Sequence, residues 1–262
     1  MKYFDTHAHL NYSPLLDKEK EIVQECADAL LLINDVGTCA NSSYVAVEQA
    51  KKYENVYATV GIHPCDVVEA ASNDMERIEE LLKDKQQNKI IAIGETGLDY
   101  YHKPFDAEVQ KAFLLKHIAL AIKYDLPLVM HIRDAHDDAY EILTKNIPHN
   151  INVIIHCFDS TPEFAKKYTD AGYWLAFGGK ITWEGKESRL HNALKSTPIN
   201  KVILETDAPW LTPTSHKPDS NKPIYVLDTL AECAATLNIE KDEFAKQVYE
   251  NSLNAFKLKC KI

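Results

Sequence analysis

Short, nearly continuous apolar runs punctuate the chain, with longer segments of helical spacing between them. The runs cover residues 3–6, 29–33, 56–60, 90–93, 128–130, 153–155, 173–177 and 201–204. They lack the polar alternation of a half-exposed strand, so they predict parallel strands covered by helices. Predicted helices span 42–52, 74–85, 106–124, 134–146, 161–171, 223–237 and 242–256. Ser42, Asp74 and Asp106 serve as N-caps, and Pro162 suits a first helical position. Within 106–124, Val109, Phe113, Leu114, Ile118 and Ala121 approximate a 3.6-residue period.

Eight strands alternating with helices place the chain in the α/β class. Two architectures fit: a closed (β/α)8 barrel and an open doubly wound sheet. No Gly-x-Gly-x-x-Gly loop follows the first run, which weakens the dinucleotide-binding version of the open sheet. No linker, repeat or low-complexity tract divides residues 1–262, which read as a single domain. The loop 209–223, rich in Pro, Ser, Thr and Asp, reads as functional.

Composition narrows the function more than the fold. The chain has 262 residues, 45% of them hydrophobic, and a net charge of −10. That charge argues against coating nucleic acid non-specifically, which needs many Lys and Arg contacts to phosphate. It allows an enzyme that grips a few phosphates, because bound divalent cations invert the local sign. Six cysteines without a C-x-x-C pair read as free thiols of a reducing compartment. The N-terminus has no signal-peptide apolar core, and no run is long enough to span a bilayer. The expectation is a cytoplasmic protein with no membrane association and no obligate protein partner.

The candidate chemistry lies at the strand ends. Of eleven histidines, five (His7, His9, His63, His131 and His156) sit just past an apolar run. In a parallel barrel that is where the active site is built. Strand alternation turns His7 and His9 to one side. Alone the pair is a weak signal, as consistent with chance as with metal binding. Asp5 shares their parity and is expected beneath them, orienting a ligand histidine or as a salt-bridged carboxylate of the barrel floor. Glu95 directly follows a buried strand, where a charge is costly unless paired or metal-bound; an exposed loop Glu is the plain alternative. His131 and His156 end the fifth and sixth runs, and each alone could be a hydrogen-bonded core histidine. Arg133 could meet a phosphate or pair with Asp134. Asp207 follows the eighth run and is preferred over Glu205 as ligand and base, with Glu205 one layer deeper. Together His7, His9, Glu95, His131, His156 and Asp207 form a mixed nitrogen and carboxylate set. It suits Zn²⁺, Mn²⁺ or Ni²⁺, and Mg²⁺ less naturally. Six ligands exceed one tetrahedral site with an open position, so two divalent metal cations fit better.

The stretches Asp5-Thr6-His7-Ala8-His9-Leu10, Gly61-Ile62-His63-Pro64, Gly94-Glu95-Thr96-Gly97-Leu98-Asp99-Tyr100, His131-Ile132-Arg133, His156-Cys157-Phe158 and Leu204-Glu205-Thr206-Asp207-Ala208-Pro209 resemble, in order and spacing, the TatD family of metal-dependent deoxyribonucleases. That family belongs to the amidohydrolase superfamily of (β/α)8 barrels. The resemblance implies the closed barrel and a phosphodiester hydrolase acting on DNA, single-stranded or at frayed ends. It also implies one metal on His7, His9 and Asp207, another on His131 and His156, and Glu95 bridging them. Asp207 would be the general base, and His63 would contact the phosphate or leaving group; a loop histidine next to Pro64 is the plain alternative. Lys180, Trp183 and Arg133 are candidate guides for a single strand. Two departures bear on substrate. Family members often carry an Arg before the Asn-x-Pro after the last strand, where this chain reads Asp219-Ser220-Asn221-Lys222-Pro223, leaving Lys217 or Lys222 to substitute. Asp159 stands where a small turn is common, and its charge is expected to disfavour a polyanion. The alternative substrates for the same metals are an amide, a small ester or a D-aminoacyl-tRNA ester.

Overall fold

The computed structural model describes residues 1–183, 185 and 188–259. Cys260 and the last two positions of the predicted domain lie outside the described residues. Eight parallel strands follow one another in sheet order as in sequence: β1 (Tyr3–Ala8), β2 (Leu31–Val36), β3 (Val56–Val60), β4 (Ile90–Asp99), β5 (Leu128–Arg133), β6 (Val153–Ile155), β7 (Trp174–Phe177) and β8 (Val202–Leu204). The last strand meets the first. Ala8 and Ala208 form a parallel bridge. The Asp207 amide donates to the His7 carbonyl at 2.8 Å, and the His9 amide to the Ala208 carbonyl at 2.8 Å. The sheet is therefore a barrel, and the open doubly wound alternative is excluded.

Helices α1 (Glu19–Asp28), α2 (Ala40–Lys52), α3 (Asp74–Lys83), α4 (Ala107–Tyr124), α5 (His136–Asn146), α6 (Pro162–Asp170), α7 (Arg189–Ser196), α8 (Val226–Leu237) and α9 (Lys241–Ala255) cover the outside. None of the described helices is long and apolar enough to cross a membrane. Sequence periodicity missed α1 and α7. Both are short, and each buries few apolar residues among charged ones: Ile22, Val23 and Cys26 in α1, and Leu190, Ala193 and Leu194 in α7. A local pattern that sparse carries little signal, and packing on the barrel decides it.

Alternation along the strands separates two cores. Leu31, Ile33, Val56, Leu128, Val153, Leu175 and Val202 pack toward the helices. Phe4, Ile91, Val129, Ile154, Ala176 and Ile203 pack with Phe256, just past α9. Phe256 reaches Phe4 with ring centroids 5.6 Å apart. This apolar layer floors the barrel, because buried apolar area is the cheapest filling for a space with no water. Polar residues lie above it, toward the C-terminal strand ends.

Two local features raise the site from that floor. β1 slips register against β2 between Asp5 and Ala8, breaking the strict alternation expected of Asp5, His7 and His9. β4 runs on to Asp99, well past the predicted end at residue 93, and all ten residues are buried. Glu95 is therefore inside a strand rather than after it. Gly97 permits that extension. Its φ is +148°, and a Cβ there would meet the His131 carbonyl oxygen at 1.9 Å.

Candidate metal centre

The six candidate ligands come together over the floor, around Glu95. The two Glu95 oxygens face different partners. Oε2 lies 3.3 Å from His7 Nε2 and 3.8 Å from His9 Nε2. Oε1 lies 3.0 Å from His131 Nδ1, 3.3 Å from His156 Nε2 and 3.5 Å from His63 Nε2. Asp207 joins the first group, its Oδ1 3.3 Å from His9 Nε2 and 3.9 Å from His7 Nε2. Asp207 lies past the end of β8 with a left-handed φ of +57°. That turn, tolerated by Asp, brings its carboxylate back over the barrel.

The outer nitrogens of the rings decide which atoms face the centre. His9 Nδ1–H donates to the Val36 carbonyl at 2.7 Å, leaving the Nε2 lone pair toward His7 and Asp207. His131 lies between two carboxylates, its Nε2 2.9 Å from Asp99 Oδ2 and its Nδ1 3.0 Å from Glu95 Oε1, so a neutral ring donates to one and turns a lone pair on the other. His156 Nδ1 lies 2.9 Å from Glu205 Oε1, a charge contact outside hydrogen-bond geometry, and its Nε2 faces Glu95. His7 Nδ1 is buried without a hydrogen-bond partner. Neutral His9 thus turns its Nε2 lone pair on Asp207 Oδ1, and a neutral His131 turns a lone pair on one carboxylate whichever tautomer it takes. Such contacts repel unless positive charge lies between them. Among the described residues no Lys or Arg pairs with Glu95, Asp207, Asp99 or Glu205. A proton or a cation must therefore supply the charge, and the donor set fits divalent metal.

In the protein alone, protons do this work. Burial by itself would raise the Glu95 carboxyl, but His156, His63, His7 and the His131 bond outweigh it and hold it well below the ordinary range. His156 moves oppositely: burial disfavours its cation, yet Glu205 and Glu95 hold it well above the usual imidazole value. His7 is lowered by burial and by His156. His63 is lowered as well. Burial and His131 push it down to about 3, so it is neutral at physiological pH. The Cys65 amide donates to its Nδ1 at 3.1 Å, which places the ring proton on Nε2. That nitrogen is a hydrogen-bond donor facing the centre.

Several expectations need correction. Asp5 touches no imidazole. Its Oδ1 accepts from the Thr206 amide at 2.8 Å and the His7 amide at 3.3 Å, and its Oδ2 from the Thr206 hydroxyl at 2.6 Å. It clasps β1 to the end of β8. Arg133 pairs with Asp159 at 3.1 Å rather than with Asp134, and lies over the Tyr101 ring at 4.8 Å. Asp159 is not a bare negative charge, since Lys180 and Arg189 also pair with it. Lys217 lies over Trp183 at 3.6 Å, and Lys222 is 3.8 Å from Glu25; neither pairs with the centre. Trp183 donates its ring N–H to the Thr212 carbonyl at 2.8 Å, tying it to its loop. Glu205 lies deeper than Asp207, its side chain 1% exposed against 15%.

Sequence reasoning gave no role to Asp99, although it shares strand parity with Glu95. It also missed Tyr12 and Trp210, which flank His9. Their ring centroids lie 5.5 Å apart, and Trp210 is 5.0 Å from the His9 ring.

A family model described as TatD related DNase matches residues 4–257. An uncharacterised metal-dependent hydrolase of Bacillus subtilis (strain 168), YabD, is 32% identical over 97% of this chain and 99% of its own. One from Mycoplasma genitalium, MG009, is 36% identical over 98% of this chain and 99% of its own. Among solved structures, the TatD homologue YJJV of Escherichia coli K12 superposes with a TM-score of 0.91 at 26% identity, covering 98% of both chains. A fold lined at its strand ends by this donor set, matched along its whole length, makes the chain a metal-dependent hydrolase of the TatD-related DNase family.

Proposed function

We propose that this chain is a two-metal phosphodiesterase acting on DNA. The observation that carries the reading is the division of Glu95: one oxygen faces His7 and His9, the other His131, His156 and His63. A carboxylate shared in this way suits a pair of cations, one held with His7, His9 and Asp207, the other with His131 and His156. When bound, such ions lower the pKa of water toward neutrality and withdraw charge from a phosphoryl oxygen.

The chain's own residues supply the rest. Asp207, its carboxyl held low by His9, His156 and His7 against the effect of burial, accepts the proton of the attacking water. The bond from that oxygen to phosphorus forms as the bond from phosphorus to the leaving alkoxide breaks. His63 Nε2–H donates a hydrogen bond to the phosphate or the departing oxygen. Asp99 and Glu205 hold the His131 and His156 rings from behind. Tyr12 and Trp210 offer a half-exposed aromatic face to a base. The five described cysteines are free thiols, in keeping with a reducing cytoplasm.

The alternative substrates, an amide, a small ester or a D-aminoacyl-tRNA ester, drew support from the acidic balance and from Asp159. Three cations surround Asp159, which removes its part of that argument and supports the phosphodiester, while the net charge of −10 stands. The test is release of nucleotides from end-labelled single-stranded DNA with Mg²⁺, Mn²⁺ or Zn²⁺, beside aminoacyl-tRNA as competitor substrate. Chelator-sensitive release is expected; no release with any of the three ions would sink the nuclease reading. Asp207→Asn should abolish turnover while most metal stays bound, and full activity in that variant would remove Asp207 as base.

A further inference from the structure

Outside the six-residue centre lies a second convergence of ligand atoms. Cys65, from the loop after β3, meets Asp99 and His102 at the end of β4. One ligand atom of each falls within 4.8 Å of the others. Asp99 is fully buried, and Oδ1 is already engaged by the amides of Tyr101 at 2.9 Å and His102 at 2.8 Å. Oδ2 lies between two imidazoles, His131 Nε2 at 2.9 Å and His102 Nδ1 at 2.8 Å. The His102 side chain is 62% exposed, so the cluster opens to solvent on that side.

Carboxylates crowd the thiol, and the His131 and His102 imidazoles face them across Asp99. Asp99, Asp66 and Glu95 all act on the Cys65 thiol, and among the described residues no Lys or Arg pairs with Asp99. Burial and these carboxylates push the thiol up to about 12, so without added positive charge it keeps its proton. A thiol, an imidazole and a carboxylate, in a cluster open to solvent on one side, are the donors of a soft divalent ion.

We propose that Cys65, Asp99 and His102 form a third, outer cation site, selective for a thiophilic divalent ion such as Zn²⁺ and separate from the two-metal centre. On binding, the Cys65 sulfur bonds to the ion and its proton passes to solvent. His102 Nδ1 and Asp99 Oδ2 supply the other protein donors, and water completes the set. Because Asp99 Oδ2 also holds His131, the outer ion draws on an oxygen that orients the inner site. The proposal does not depend on which substrate the enzyme takes.

The test uses the full chain, freed of metal and titrated with Co²⁺ and with Zn²⁺ while bound ion is counted. Thiolate bound to Co²⁺ gives a near-ultraviolet charge-transfer band that imidazole and carboxylate do not. Wild type should show this band and bind one more equivalent than either Cys65→Ser or His102→Ala. Both variants should lose the band and keep the other equivalents. Cys157→Ser controls for the thiol beside His156 and should keep the band. Glu95→Gln should weaken the inner ions yet leave the band, which separates this site from the phosphodiesterase reading. The proposal is overturned if wild type gives no thiolate band, or if the band or the extra equivalent persists in Cys65→Ser. His102 is exposed, so its variant tests the site even if Cys65→Ser folds poorly; a full equivalent retained there also overturns it.

Discussion

The two halves of the centre are held by different means. On one side His9 is fixed by a neutral backbone carbonyl, that of Val36, and His7 Nδ1 has no hydrogen-bond partner. On the other side each imidazole has a carboxylate behind it, Asp99 for His131 and Glu205 for His156. A carbonyl sets the tautomer without adding charge. A carboxylate sets it and also makes the ring a stronger electron donor. On the proposed two-metal reading, these carboxylates should strengthen the hold of the His131–His156 side on its cation. The His7–His9 side would instead draw on Asp207 itself, the proposed ligand and proton acceptor.

The largest expected effect abolishes the comparison. Glu95→Gln touches both halves and should lower affinity for both ions, with turnover falling by more than the roughly 100-fold that loss of an outer partner can cost. Metal content of the purified variant, read beside its rate, checks this. Loss of one ion alone would show that Glu95 serves a single half. Asp99→Asn and Glu205→Gln should sharpen it, each weakening one of two binding steps by about 10–100-fold. Calorimetric titration separates the steps; equal weakening of both would undo the asymmetry.

A smaller change is expected at Asp159. Asp159→Asn leaves Arg133, Lys180 and Arg189 without their shared anion. With this largely buried carboxylate neutralised, KM for an oligonucleotide should fall by about 2–5-fold at low salt, an effect that fades as salt rises. An unchanged KM at every salt concentration would mean that these cations do not face the substrate.

The smallest effect on either half is expected at His117 of α4, which lies outside both. Its Nδ1–H donates to the Phe113 carbonyl at 2.7 Å, and its Nε2 accepts from the Ile62 amide at 3.0 Å. Burial lowers its pKa to about 4 from 6.5. The unfolded chain therefore binds the extra proton first. His117 favours the fold fully above pH 6.5, and that contribution is lost as pH falls through 6.5 toward 4. His117→Gln should flatten the acid limb of stability, measured by urea unfolding, with both metal affinities unchanged at neutral pH. An acid limb as steep as in wild type would assign the effect to another group.

Much of this was legible from strand ends. Each of the eight apolar runs became a strand; His156 and Asp207 follow the ends of theirs, while Glu95 and His131 lie within β4 and β5, above the apolar floor. Strand parity was the poorer guide to partners. Asp5 was expected under the His7 ring, but the register slip in β1 set it against Thr206. Glu95 was expected past its strand, but pairing with β5 carries β4 on to Asp99. Arg133 was matched to its chain neighbour Asp134, while the partner came from the loop after β6.

The sequence by itself determined the strand and helix alternation and the residue types at the barrel mouth. Those depend on local apolar pattern and on the cost of burying charge. It left open whether the sheet closes. That required Asp5, Thr206 and the Ala8–Ala208 bridge to join segments some 200 residues apart. Only the tertiary structure decided which nitrogen of each histidine faces the centre. The groups behind the rings, a hydrogen-bonding carbonyl for His9 and the carboxylates Asp99 and Glu205 for His131 and His156, are brought there by register between strands. Periodicity along one strand carries no information about that register.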